Sequence, residues 1–127
     1  MNRAQDWLKQ AERDLQLAHK AAQGNHHEWA CFAAQQAAEK AVKALHLHSG
    51  QEAWGHSVAR LLLELPQEVP SLLVEKAKVL DGFYIPTRYP DAYPEGAPWE
   101  HYGSLQSQEA LTYAGEILVL VRDAMAR

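Results

Sequence analysis

At 127 residues with one cysteine, Cys31, the chain has the size of a single domain with one core, and it excludes both an intramolecular disulfide and a multi-cysteine metal site. Twelve Lys and Arg against sixteen Asp and Glu give a formal charge of −4, which excludes the broad basic surface of a general nucleic-acid coat, so any phosphate site must be local. No cationic-then-apolar leader opens the sequence, Ile117 to Val121 is far shorter than the roughly 20 residues that span a bilayer, and the lone thiol suits a reducing compartment, so a cytoplasmic protein with no membrane contact is expected.

Asn2 stands as N-cap to a first helix in which Ala4, Trp7, Leu8, Ala11, Leu15, Ala18 and Ala22 recur at helical spacing, with Gly24 placed to end it. Arg3, Asp6, Lys9, Glu12, Arg13 and Lys20 occupy its other faces and read as solvent-facing. The short break from Gly24 to His27 makes the next helix an antiparallel neighbour. That helix, Cys31 to His48, organises the chain: Ala34, Ala37, Ala38, Ala41, Val42, Ala44 and Leu45 fall on one side, and Gln35, Gln36, Glu39, Lys40, Lys43 and His46 on the other. An alanine face lets a neighbouring helix come close. The polar face reads either as solvated or as one wall of a polar cleft.

Ser57 to Leu65 reads as a short helix with Val58, Leu61, Leu62 and Leu65 inward, closed by Pro66. Pro70 and Ser71 open the next, whose buried line is Leu73, Ala77, Leu80 and Tyr84 and whose end is set by Gly82 and Pro86. From Pro86 to Gly103, prolines at 86, 90, 94 and 98 alternate with Tyr89, Tyr93, Trp99 and Tyr102; the spacing forbids a regular helix and predicts an ordered loop. Helical period returns from Ser104 or Ser107 through Leu111, Ala114, Leu118, Val121 and Met125, with Val119 and Leu120 off the stripe, which predicts a subunit interface. The expected fold is all-α: an up-and-down antiparallel bundle of four main helices plus a short one, in one domain spanning residues 1–127.

Seven histidines invite a metal, but His46-x-His48 on a helix directs its rings apart and His26-His27 also diverge, so no metal site and no cofactor are expected. No nucleophile elbow, phosphate loop or dinucleotide fingerprint occurs. The run Leu80 to Asp91 is the sharper constellation. Read structurally, it is a helix end closed by an Arg88–Asp91 salt bridge, with Tyr84 and Tyr89 packed as plugs.

Taken together, Asp14-Leu15 and Ala18, the stretch from Ala34 to Leu45, His56, and the run from Tyr84 to Asp91 resemble the HEPN family, the higher eukaryote and prokaryote nucleotide-binding domains, over nearly the whole chain. The resemblance implies a helical bundle, commonly a homodimer, often encoded beside a minimal nucleotidyltransferase in a two-component, toxin–antitoxin-like system. Many members are metal-independent ribonucleases that carry Arg followed, after four to six residues, by His. After Arg88 that window holds Tyr93, Pro94 and Glu95, so the motif is broken.

The resulting expectation is a nucleotide- or RNA-phosphate-binding module in which Lys40, Lys43 and Arg88 supply positive charge, Tyr89 a stacking face, and Glu39, His56 and Asp91 orienting hydrogen bonds. The alternatives are a ribonuclease that uses Arg88 with His56 or His101, and an interaction bundle in which these side chains form a solvated face.

Overall fold

The computed structural model describes residues 2–127 and contains, among them, helices and no strands. In order these are α1 (Ala4–Gln23), α2 (His27–His48), α3 (Val58–Leu63), α4 (Ser71–Asp81) and α5 (Ser104–Met125), with two single 3-10 turns, Pro90–Ala92 and Pro98–His101, between the last two. Arg3, not the expected Asn2, holds the N-cap position of α1 and makes no side-chain cap bond; the Asn2 side chain, one residue before it, accepts from the Ala4 amide at 2.7 Å and donates to the Leu47 carbonyl. Gly24 ends α1, but Asn25, at φ 64°, takes the left-handed turn, a conformation asparagine tolerates better than most residues. The second helix begins at His27, four residues before the expected Cys31.

The alanine face of α2 is buried as expected, with Ala34, Ala37, Ala38 and Ala41 fully inaccessible between α1 and α5. Its polar face is not a solvated one. The α3 and α4 segments pack over it, and Gln35, Glu39 and His46 are buried on that side. Each is satisfied there: Gln35 donates to the His56 carbonyl at 3.0 Å, and His46 Nε2 bonds the Leu61 carbonyl at 2.8 Å. Buried polar groups that find partners cost little, so a helix can be surrounded without being apolar all round.

One tertiary contact fixes how α3 meets α4. The Asp81 carboxylate, at the end of α4, accepts from the Ser57 hydroxyl at 2.8 Å and from the amides of Val58 at 2.6 Å and Ala59 at 3.2 Å. Those amides are the otherwise unpartnered first donors of α3, so Asp81 caps it from across the chain. The same pairing brings the residue before Ser57, which is His56, beside the segment after Asp81.

The Pro/aromatic segment folds as an ordered excursion. Each 3-10 turn opens on a proline, Tyr93 donates its hydroxyl proton to Tyr102, and Tyr102 meets Phe83 edge-on at 6.1 Å. Gly96, at φ +84°, sits so close to His101 that a Cβ would lie 3.0 Å from Nε2. On α5, Val121 is buried, Leu120 is half-buried and Val119 is 52% exposed.

Candidate functional site

Arg88 follows α4 on a tight turn: its amide donates to the Ile85 carbonyl, and Thr87, buried, donates its hydroxyl to the Phe83 carbonyl. This turn folds the Arg88 side chain back, so that Nε donates to the Tyr84 carbonyl at 2.9 Å. The guanidinium lies 4.3 Å from the ring centroid of Phe32, 4.8 Å from Tyr84 and 5.2 Å from Tyr89. The Arg88–Asp91 salt bridge of the purely structural reading is not formed; Asp91 sits exposed on the first 3-10 turn, and no carboxylate among the described residues pairs with Arg88. Tyr89 is no plug either, being 48% exposed. Aromatic faces attract a cation without neutralising it. The terminal nitrogens of Arg88 therefore keep their donors for an anion.

His56 joins the same cluster from the other side of the sequence. Its ring stacks on Tyr84 at a centroid distance of 4.6 Å, and its Nδ1 lies 3.2 Å from Glu39 Oε1. Glu39, only 5% exposed, also accepts from Lys43 Nζ at 3.2 Å and from Gln35. Lys43 extends over the Trp7 ring. Lys40 binds Asp14 Oδ2 at 2.5 Å, an ion pair across the α1–α2 seam. Both lysines expected to supply free positive charge are thus matched by internal carboxylates, and Arg88 is the expected cation that is not. His101 lies apart, its Nε2–H donated to the Glu95 carbonyl at 2.8 Å and its ring stacked on Tyr93 at 4.0 Å.

Phe32, Tyr84 and Asp14 belong to the site although none was assigned a binding role from sequence. Tyr84, expected on the buried line of α4, lies beyond its end at Asp81 and is half-buried; the carboxylate cap by Asp81 that brings His56 to it joins residues far apart in the chain. Burial in apolar surroundings, reinforced by Glu28 and Glu109, pushes the Cys31 thiol up to about 12, so it is not a nucleophile at neutral pH. Tyr102 is likewise raised, first by burial and then by the neighbouring Tyr93. No group of three or more His, Cys, Asp or Glu suited to a metal ion occurs among the described residues.

The sequence matches the HEPN domain over residues 4–124. The chain belongs to the HEPN family. The crystal structure of TT1696 from Thermus thermophilus is similar to it at 55% identity with a TM-score of 0.95, over 98% of this chain and 99% of that one. An archaeal HEPN homologue is 45% identical with a TM-score of 0.85 over 98% and 99%. A HEPN domain protein from Thermotoga maritima is 35% identical with a TM-score of 0.78 over 96% and 98%. A Methanocaldococcus jannaschii protein named Putative toxin MJ1304 is 28% identical over 92% of this chain and 84% of its own. In this HEPN chain no helix among the described residues is long and apolar enough to cross a membrane.

Proposed function

We propose that this HEPN domain binds the phosphate of a nucleotide or RNA through Arg88 and acts in a toxin–antitoxin-like pair, as a homodimer working with a minimal nucleotidyltransferase. The observation that carries the binding role is the Arg88 guanidinium, cradled by Phe32, Tyr84 and Tyr89 and matched by no carboxylate. A planar fork with free N–H donors suits a phosphate bidentately. The family membership and the likeness to a protein named as a toxin support the two-component setting. The exposed Val119 beside half-buried Leu120 on α5 supports self-association; sedimentation at micromolar concentration tests it, and a species of 14.3 kDa there removes the dimer.

A second reading, metal-independent RNA cleavage, is favoured by the Glu39–His56 contact. A carboxylate on Nδ1 orients an imidazole so that Nε2 is left to move a proton, and His56 shares Tyr84 with Arg88. His101 contributes less to this reading, since its Nε2 is engaged by Glu95 within the loop.

One experiment separates the readings. Under the binding role, Arg88→Ala weakens RNA-fragment binding by about 1.5–3 kcal/mol, the range for hydrogen bonds to a charged group, while Arg88→Lys restores part of it. Under the enzyme reading, wild-type protein cleaves RNA in EDTA, and both Arg88→Ala and His56→Ala abolish cleavage. Unchanged binding in Arg88→Ala refutes the phosphate site.

A further inference from the structure

Between α1 and α2 lies a cleft of about 370 Å³ that a phosphate on Arg88 leaves unfilled. Its apolar walls are Leu17 and Trp29, 59% and 50% exposed, together with Phe32. Phe32 is the wall shared with the phosphate site: Arg88 lies over its ring at 4.3 Å, and Trp29 meets it edge-on at 6.1 Å. Phe32 therefore borders both the cleft and the Arg88 site, and Trp29 and the Arg88 guanidinium both pack against it.

The cleft also carries a polar lining, from Asp14, Gln36 and Lys40. Asp14 accepts one hydrogen bond on each oxygen, from Gln10 at 2.8 Å and from Lys40, and an ionised carboxylate has lone pairs left on both. Gln36 donates its amide to Gln35 Oε1 at 2.8 Å, which leaves its carbonyl as a further acceptor. Apolar walls with a few converging polar groups, at this volume, are the usual makeup of a small-molecule site.

We infer that this cleft is a nucleobase subsite, in which a base stacks against Trp29 while its ribose phosphate reaches Arg88. The inference rests on the phosphate reading above and adds the base to it. The Asp14 and Gln36 acceptors select a base edge that presents donors. Guanine fits first, because its N1–H and N2–H groups stand side by side as the two oxygens of Asp14 do, and the neighbouring Lys40 ammonium can reach an acceptor such as O6.

Calorimetric titration of the intact protein with the four nucleoside 5′-monophosphates and with ribose 5-phosphate tests this. Guanosine monophosphate binds on the order of tenfold more tightly than ribose 5-phosphate, the expected gain from stacking one base. Trp29→Ala, a half-exposed position whose loss leaves the core intact, removes that gain and leaves ribose 5-phosphate affinity unchanged. Asp14→Asn flattens the preference among the bases. Equal affinity for ribose 5-phosphate and all four nucleotides overturns the base subsite while leaving the phosphate site standing. A Trp29→Ala variant with unchanged nucleotide affinity and a smaller sedimentation coefficient also overturns it, since a second copy of the chain then covers the cleft. Failure of ribose 5-phosphate to bind, or its unchanged binding to Arg88→Ala, overturns the phosphate reading and the subsite with it.

Discussion

The buried carboxylate of Glu39 holds the imidazole of His56 through Nδ1 at 3.2 Å, across a gap of 17 residues. Glu39 meets three partners at once, Gln35, Lys43 and His56, whereas His56 is mostly exposed and has Glu39 and the Tyr84 ring. Glu39 is the centre of the network, and His56 its outward arm. Glu39→Gln keeps the volume but leaves the Lys43 ammonium, mostly buried, without its counter-charge. The expected loss is about 1–3 kcal/mol, against less than about 1 kcal/mol for His56→Ala. Urea melts of the two variants check the order, and an equal loss in both would show that Glu39 serves only His56.

Asp81 joins α4 to α3 by accepting from Ser57, Val58 and Ala59. Asp81→Ala removes a charged cap and is expected to cost about 1–2 kcal/mol. Because the same contact sets His56 beside Tyr84, the variant also loses the ring-current shift that stacking on Tyr84 gives the His56 resonances. Proton NMR reads this directly; a shift that persists would mean that Glu39 alone positions the imidazole.

The alanine seam of α2 has no spare room, with Ala38 and Ala41 both at 0% exposure. Ala38→Leu and Ala41→Leu each add bulk where helices approach closely, and each is expected to cost about 1–3 kcal/mol. Thermal melts check this, and unchanged midpoints would mean that the seam yields.

Alkaline pH acts through the buried Cys31 and the half-buried Tyr102, both neutral in the folded protein. The Cys31 thiol is raised from 9.0 to about 12, so the folded state holds this proton over a range where the unfolded chain has lost it. Its contribution is complete below pH 9 and is lost as pH climbs from 9 toward 12. The midpoint of thermal unfolding therefore falls above pH 9, and in Cys31→Ala it falls less steeply. Identical slopes in the two proteins would place the alkaline loss on Tyr102 and other groups. At pH 8 the thiol reacts with an alkylating reagent only through unfolding.

Helix periodicity, proline spacing and the alanine stripe fix five helices, the ordered loop before α5 and the α1–α2 hairpin, because each is a pattern within a dozen or so neighbouring residues. Arg88 is legible for the same reason, as a lone cation in a run of aromatics. The surroundings of each side chain are not local. From the wheel alone Gln35, Glu39 and His46 face outward, yet α3 and α4 lie across them; Lys40 and Lys43 look like free charge until Asp14 and Glu39 neutralise them. His56 reaches Arg88's neighbour Tyr84 only because Asp81 caps a helix that begins 23 residues earlier. The sequence by itself determined which residues are helical and which carry charge. Which charges are paired and which one is left for a ligand was decided by the tertiary structure, since pairing depends on distances between elements that no local period records.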